Sequence, residues 1–582
     1  MSMKLPFSSI ASQSIFASRP TGVRIAVASI ALTILYLSSP AFAAKKDDAW
    51  PQTRFEQNQY KSTSTVADVD IFMTALMKRD KGLQVYLPKN APRTTETGQP
   101  LNAWRLASTG KDPLRVYIIA GIHAGEVEGK DAMQLIMREL VQGKHPEIRQ
   151  ALEIVTLPTY NADGADAQDP LNRRHQPNPE GGVGPRENAF GIDLNRDMMK
   201  AAAANTRWML AMYQDFQPAA VFDLHTTNGS YHGFHITYEP AWATGGDADL
   251  QSLNRKMLTD VRATMLERGM PTYDYGNFRY NKEKQIDGWE SAFSSPNLVS
   301  NYPTLQYALG VLVETYVYRT FPQRIEDNRL YVLELLRWLA AHKDQVKREQ
   351  IAARERWAAQ WKAKNARLPL RTEMSLAENY VFEVVDPIKD SNGQIIGEKS
   401  RTKMELPSYV AFKAIDEMPV PEGYLVDPAY AGKLRPILEA HGLKVLPGSA
   451  RPKQQSLMYF HETERNIAKD TFQGIFTAQI KRAWKESLPE KRAGYAWTKD
   501  TLDRALYVPV NQNLGRLAFY LLDPRSADGL VYWGYLHAYY ARGKGMWGEP
   551  PRQPILAVGT QLSDSATKAT GAELKKIEHV QE

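Results

Sequence analysis

The sequence predicts an α/β fold: a mixed, mostly parallel sheet with helices on both faces, followed by a smaller C-terminal α+β or β-rich domain. Three observations carry that prediction. Short apolar runs suited to buried strands alternate with stretches of helical periodicity. Three of the runs, at 116–120, 219–224 and 309–313, lead into a His or a Glu, the first after two residues and the others directly, as strands do when they deliver side chains to a crevice at their carboxyl ends. The length of 582 residues exceeds what one core organises, so two or three domains are expected.

The first 43 residues read as a secretory signal. Lys4, Arg19 and Arg24 precede an apolar run at 25–37, and Pro40-Ala41-Phe42-Ala43 offers a small-x-small cleavage site before Ala44. No Arg-Arg pair is present among these 43 residues, so export in an unfolded state to a periplasmic or secreted location is expected, with no stable membrane association after cleavage. The alternative, an uncleaved anchor, has only about 13 to 15 apolar residues where a span needs about 20. Without Lys4, Arg19 and Arg24, the 72 basic residues fall to 69 against 65 acidic ones. That balance, with no basic stripe carrying interleaved aromatics, gives no argument for nucleic acid. Cysteine is absent, which excludes disulfides, thiolate metal ligands and cysteine nucleophiles together.

A catalytic domain is expected over 52–365. The strand at 116–120 runs into Gly121-Ile122-His123-Ala124-Gly125-Glu126, and residues 127–137 have helical spacing. A His and a Glu three residues apart, at a turn leaving a strand, can aim a ring nitrogen and a carboxylate at one point. That is two-thirds of a catalytic zinc site, which uses three protein ligands and keeps a fourth position open. The 219–224 run ends in His225 and the 309–313 run in Glu314. A carboxylate at the tip of a buried strand is costly unless it serves a site or has a partner. Between them, Asn195-Arg196 offers a fork for a carboxylate. Rival assignments are His232 and His235 for the metal, and Glu128 for Glu126. Arg196 could instead cap a helix or pair with Asp193, and Glu314 could be a structural strand-end acid.

Helices are expected at 200–216 and 250–268. A long one is expected at 324–363, with Leu330, Leu333, Leu336 and Leu339 on its apolar stripe and a charged second half read as a solvated strut. Residues 165–190, rich in Asp, Asn, Pro and Gly, read as a long loop carrying Arg173 and Arg174. An accessory domain is expected over 366–582. Ser391-Asn392-Gly393-Gln394 is a turn between strands, 431–441 is a short helix ended by Gly442, and 443–446 is a strand. The last residues, 560–582, are polar. Neither a repeat of 20–50 residues nor a phosphate-binding glycine loop is present.

In their order, His123-x-x-Glu126, Asn161-Ala-Asp-Gly164, Asp193-Leu-Asn-Arg196, Asp223-x-His225 and the strand-end Glu314 resemble the zinc carboxypeptidase family over residues 60–345. Residues 508–535 resemble the C-terminal extension of one bacterial branch of that family. The resemblance implies one zinc ion held by His123, Glu126 and His225. It implies Glu314 as a general base that then acts as an acid. It further implies that Asn195 and Arg196 hold a peptide's terminal carboxylate, and that Arg173 polarises the scissile carbonyl, with Arg174 as the alternative. The expected activity is hydrolysis of the C-terminal peptide bond of peptides with a free carboxylate. Rivals are a cell-wall peptide amidase, an N-acyl amino acid deacylase, and a non-catalytic peptide-binding protein. The chain departs from the family pattern at Asp197, where a second Asn is usual; an acid there would weaken the clamp or favour a substrate carrying an amine. A capping tyrosine is not assigned among Tyr275, Tyr280 and Tyr302.

Overall fold

The central strands are mainly apolar because both of their faces are covered. The computed structural model describes residues 49–582 except 228, 243, 244, 293, 392, 394, 454, 486–496, 537–551 and 560–582. The expected leader at 1–43 and polar tail at 560–582 lie outside the described residues. Ten strands lead up to the site: β1 (Leu83–Tyr86), β2 (Ala103–Leu106), β3 (Leu114–Ala120), β4 (Leu152–Leu157), β5 (Ala220–Thr227), β6 (Ile236–Pro240), β7 (Thr272–Asp274), β8 (Asn277–Tyr280), β9 (Ile286–Glu290) and β10 (Leu309–Tyr316). Eight form one sheet in the order β1-β2-β4-β3-β5-β10-β6-β7. Its centre, β4-β3-β5-β10, is parallel throughout, while β1–β2, β2–β4 and β6–β10 pair antiparallel and β7 joins β6 in parallel. Every residue of β5 and β10 is buried, which is why each opens on a mainly apolar run, interrupted in β5 by Asp223 and ended by His225 and Glu314.

Helices cover both faces, as predicted. Trp208, on the helix Ala204–Asp215, stacks on Tyr117 with ring centroids 6.0 Å apart. Gly129, in the first turn of the helix Glu128–Val141, lies against Ala120 and Leu224. Tyr117 and Ala120 are an odd number of residues apart on β3, so they point to opposite faces. A Cβ at Gly129 would stand 2.5 Å from that of Leu224. Close packing of this helix on the sheet therefore requires glycine there.

Two expectations need correction. The helix predicted at 200–216 starts at Ala204, because the Asp197 carboxylate accepts from the backbone N–H groups of Ala202 (3.2 Å) and Ala203 (2.9 Å) and holds the preceding turn. The single helix predicted over 324–363 is two, Phe321–Ala341 and Lys343–Lys362. At the break, His342 stacks on Trp338 at 4.0 Å, and its Nδ1 lies 2.8 Å from the Trp338 carbonyl oxygen. Nor is the second helix a solvated strut: Val346, Gln350, Ala353 and Trp357 are buried. Gln350 donates to the Tyr307 carbonyl (2.7 Å), and the Trp357 indole donates to that of Gln512 (3.1 Å).

The C-terminal region is β-rich. The hairpin Glu378–Lys389 with Ile395–Tyr409 joins β9 through Ser408 and Tyr409, giving a four-stranded sheet with β8. A further six-stranded sheet includes Gly423–Val426, Leu506–Pro509 and Ile555–Val558. The helix expected at 431–441 spans Pro428–Ala440, whereas the strand expected at 443–446 shrinks to Leu446–Pro447. The described residues from Pro51 onward form one compact unit.

Candidate active site

The turn after β3 presents the first two candidate ligands. The Glu126 N–H donates to the His123 carbonyl (3.0 Å), which closes the turn and brings both side chains to the same side. Glycine is required at 125: a Cβ there would lie 2.6 Å from the Gly184 carbonyl oxygen and 2.9 Å from the Arg173 side chain. β5 supplies His225 and, directly opposite in register, β10 supplies Glu314. Cross-strand partners share a face, so sheet pairing alone points these two side chains the same way. Asp223, two residues before His225, shares that face as well.

The three candidate ligands converge. Glu126 Oε1 lies 3.0 Å from His123 Nδ1, and Oε2 lies 2.7 Å from His225 Nδ1 while accepting from the Thr226 N–H at 3.2 Å. The two imidazole rings are 4.9 Å apart, and one donor atom from each of the three residues falls within 4.8 Å of the others. All three are buried. Two imidazole nitrogens facing one carboxylate need positive charge between them, which protons or a divalent metal can provide. A His₂Glu set of this kind fits zinc. His232 and His235 are not part of it. His232 is buried among Tyr316, Phe234 and Trp289, and burial lowers its pKa to about 3. His235 lies between Asp327 and Arg319. Glu128 forms a buried ion pair with Arg324 at 3.0 Å.

A ring of acids and bases surrounds the triad. His123 Nε2 lies 3.2 Å from Asp193 Oδ1, and Asp193 Oδ2 accepts from Arg186 Nε at 3.0 Å. Burial opposes ionisation of Asp193, yet His123 and Arg186 hold its carboxyl well below the ordinary range. Glu126 is likewise held low, because Arg173, His123 and His225 together outweigh its burial. His225 Nε2 lies 2.8 Å from Asp223, and burial of the ring is outweighed by Asp223 and Glu126, which raise its pKa. Glu314 behaves in the opposite way. Burial pushes its carboxyl up to about 8, with Glu126 and Asp223 adding to the shift and His225 and Arg173 opposing it. Its Oε2 is buried without a hydrogen-bond partner among the described residues.

A cavity of about 100 Å³ connects these groups; His123, Glu126, His225, Glu314, Asn195 and Arg196 all line it. The Asn195-Arg196 pair, read from sequence as a fork for a carboxylate, is thus brought beside the three candidate ligands. Asn195 Oδ1 accepts from the Val299 N–H (2.9 Å), which leaves its Nδ2 as the donor for a ligand. Arg196 donates to the Asn195 carbonyl at 2.8 Å. Asp197 does not adjoin the clamp: its carboxylate is occupied with Ala202 and Ala203, so it neither weakens the fork nor recruits an amine. Of the adjacent arginines, Arg173 reaches the site and forms an ion pair with Glu126, while Arg174 is exposed beside His175. Tyr275 lines the cavity, whereas Tyr280 is exposed and Tyr302 is buried against His441 at 2.7 Å.

Sequence reasoning missed Arg186, Asp193 as a partner of His123, Asp223 as a partner of His225, and Glu239 in the cavity wall. Asp193 and Asp223 had a usable signal, since each precedes a predicted site residue by two positions. Arg186 sits in an irregular loop and has none.

Residues 93–219 match the family model for zinc carboxypeptidase. Carboxypeptidase 2 of Trichophyton rubrum is 26% identical over 114 residues, a match that spans 19% of this chain and 18% of the relative. Among solved structures, a metallo-carboxypeptidase from Burkholderia cenocepacia aligns at 15% identity over 49% of this chain and 70% of its own, with a TM-score of 0.37. The carboxypeptidase A of Helicoverpa armigera aligns at 15% identity over 50% and 74%, with a TM-score of 0.35.

Proposed function

We propose that this chain, whose residues 93–219 match the family model for zinc carboxypeptidase, is a zinc-dependent exopeptidase that hydrolyses the C-terminal peptide bond of peptides. One observation carries the reading: a three-donor candidate metal site, a strand-end carboxyl with no partner for one oxygen among the described residues, and an Asn-Arg fork share one small cavity.

His123 and His225, each through Nδ1, and Glu126 would hold the zinc. Asp193 keeps the His123 ring oriented from its far nitrogen, and Asp223 stands in the same relation to His225. Zinc, when bound, supplies Lewis-acid polarisation and lowers the pKa of water to about 7. Arg196 and Asn195 receive the terminal carboxylate, the guanidinium through paired N–H donors. That anchoring places the last peptide bond, and no internal one, beside Glu314. Glu314 takes the proton of the attacking water and returns it to the leaving amine. Its raised pKa suits a group that must both accept and donate near neutral pH. Arg173 faces the charge that develops on the carbonyl oxygen; one of its terminal nitrogens is buried with no hydrogen-bond partner and is available for that contact. Arg186 is a second cation on the cavity wall, and Tyr275 is the aromatic group positioned to close over the substrate.

The test compares peptides with free and amidated C-termini, digested by the zinc-loaded protein and weighed by mass spectrometry. Release of single residues from the free acids alone is expected. Cleavage of both forms, or of neither, would overturn the assignment. The signal-like residues 1–43 further support export, and the exported chain is expected to begin at Ala44. Edman sequencing of protein recovered outside the cytoplasm checks this, and an intact Met1 there would refute it.

A further inference from the structure

The mechanism gives no task to residues 508–535, the C-terminal segment singled out in the sequence. Far along the chain from the candidate metal ligands, this segment closes on the turn that presents Asn195 and Arg196. The Tyr535 hydroxyl donates to the Lys200 carbonyl at 2.7 Å, and the Lys200 ammonium stands 4.4 Å from the centre of the Trp533 ring. That turn is continuous with the clamp, because the Lys200 and Ala201 N–H groups donate to the Asp197 carbonyl. The segment is itself anchored. All eight residues of the helix Gly515–Leu522 are buried, and the Leu530 N–H donates to the Leu521 carbonyl at 2.9 Å.

Asp528, within the segment, acts on both halves of the clamp. Its Oδ2 accepts from the Ser295 hydroxyl at 2.7 Å, and Ser295 Oγ in turn accepts from the Asn297 N–H at 3.1 Å. The Leu298 N–H donates to the Ser295 carbonyl at 3.3 Å, which closes a short turn. The next residue, Val299, gives its N–H to Asn195 Oδ1, the bond that commits the amide oxygen and leaves Nδ2 for a ligand. Leu298 and Ser300, on either side of Val299, line the cavity. The link to Arg196 is electrostatic. Burial raises the Asp528 carboxyl to about 6, and the Ser295 hydroxyl and the Arg196 guanidinium oppose that shift. Burial likewise lowers the Arg196 pKa, while Asp193 first, and Asp528 among others, support its charge. A guanidinium taken out of water needs such anionic neighbours to stay charged in one place.

We propose that Asp528 is a positioning residue for carboxylate binding: it fixes the 295–299 turn that orients Asn195 and holds Arg196 by charge, so that the C-terminal segment completes the substrate site. Asp528 itself acts only through those two residues. This inference rests on the exopeptidase reading and adds to it a residue from outside the part of the chain that matches the family model.

The experiment uses the zinc-loaded full chain, native and as Asp528→Ala, Asp528→Asn and Ser295→Ala. The kcat and KM are measured on an acylated tripeptide with a free C-terminus. Inhibition by acetohydroxamic acid, which binds zinc and carries no carboxylate, is measured alongside. Asp528→Ala is expected to raise KM by at least about tenfold with kcat within about threefold of native. Asp528→Asn keeps an acceptor for Ser295 without the charge, and Ser295→Ala keeps the charge without the hydrogen bond, so each should raise KM by less. Inhibition by the hydroxamate should be the same in all four proteins. Native KM in Asp528→Ala, or a rise in KM matched by an equal loss of hydroxamate inhibition, overturns the inference alone. If Asp528→Ala does not fold, native KM in both other variants overturns it, and a raised KM with native hydroxamate inhibition in both upholds it. Release of no terminal residue by the native protein overturns the exopeptidase reading and this inference with it.

Discussion

Glu314→Gln is expected to lower kcat by about 10³-fold while leaving KM within a few-fold of native, measured on a peptide with a free C-terminus. The glutamine keeps the shape of the side chain and the register of β10 against β5, so the fold and the metal ligands should be undisturbed. What it lacks is a site that can take and return a proton. The substitution is also mild for stability, because the native carboxyl is already raised by burial and one of its oxygens has no hydrogen-bond partner. Zinc content should stay at one ion per chain. A variant that retained more than about a tenth of native kcat would remove Glu314 from the role of general base.

Glu126→Gln is expected to fail in a different way. Glu126 accepts from the Thr226 N–H and bridges His123, His225 and Arg173, so its charge serves three cationic or metal-facing groups at once. A neutral amide cannot provide that charge. Zinc measured by mass spectrometry should fall from one ion per chain to below about a tenth of an ion. Activity should be lost with it. Metal-free native protein and metal-free variant, both held in chelator, should also differ in unfolding free energy by about 3–5 kcal/mol. Removing one partner of a buried ion pair leaves the Arg173 guanidinium uncompensated. Retention of zinc, or unchanged stability in the metal-free state, would show that the carboxylate is not the centre of this cluster.

Parts of the site were legible because strand periodicity carries positional information. His225 and Glu314 each close an apolar run, and two-residue alternation then fixes which neighbours share their face. His123 and Glu126 were legible from the strand–turn–helix context of one short segment. The choice between Arg173 and Arg174 was not. Both lie in an irregular loop, where no period relates sequence position to direction, and only the folded loop brings one against Glu126 and leaves the other exposed. The helix break at His342 was equally hidden, since no Pro or Gly marks it. It arises where the imidazole stacks on Trp338 and reaches that residue's carbonyl.

The sequence by itself determined the mixed sheet, the strand ends that deliver ligands, the absence of any thiolate chemistry, and the Asn-Arg fork. Each of these is a local property, set by residue type and by spacing within one element. The tertiary structure alone decided which partners those groups meet: Asp193 beside His123 across 70 residues, Arg186 on the cavity wall, Asp197 spent as a backbone cap, and Glu239 in the cavity wall from β6. The physical reason is that charge, burial and hydrogen bonding act over a few ångströms in space. Chain separation carries no record of such distances until the sheet has brought β3, β5, β10 and β6 side by side.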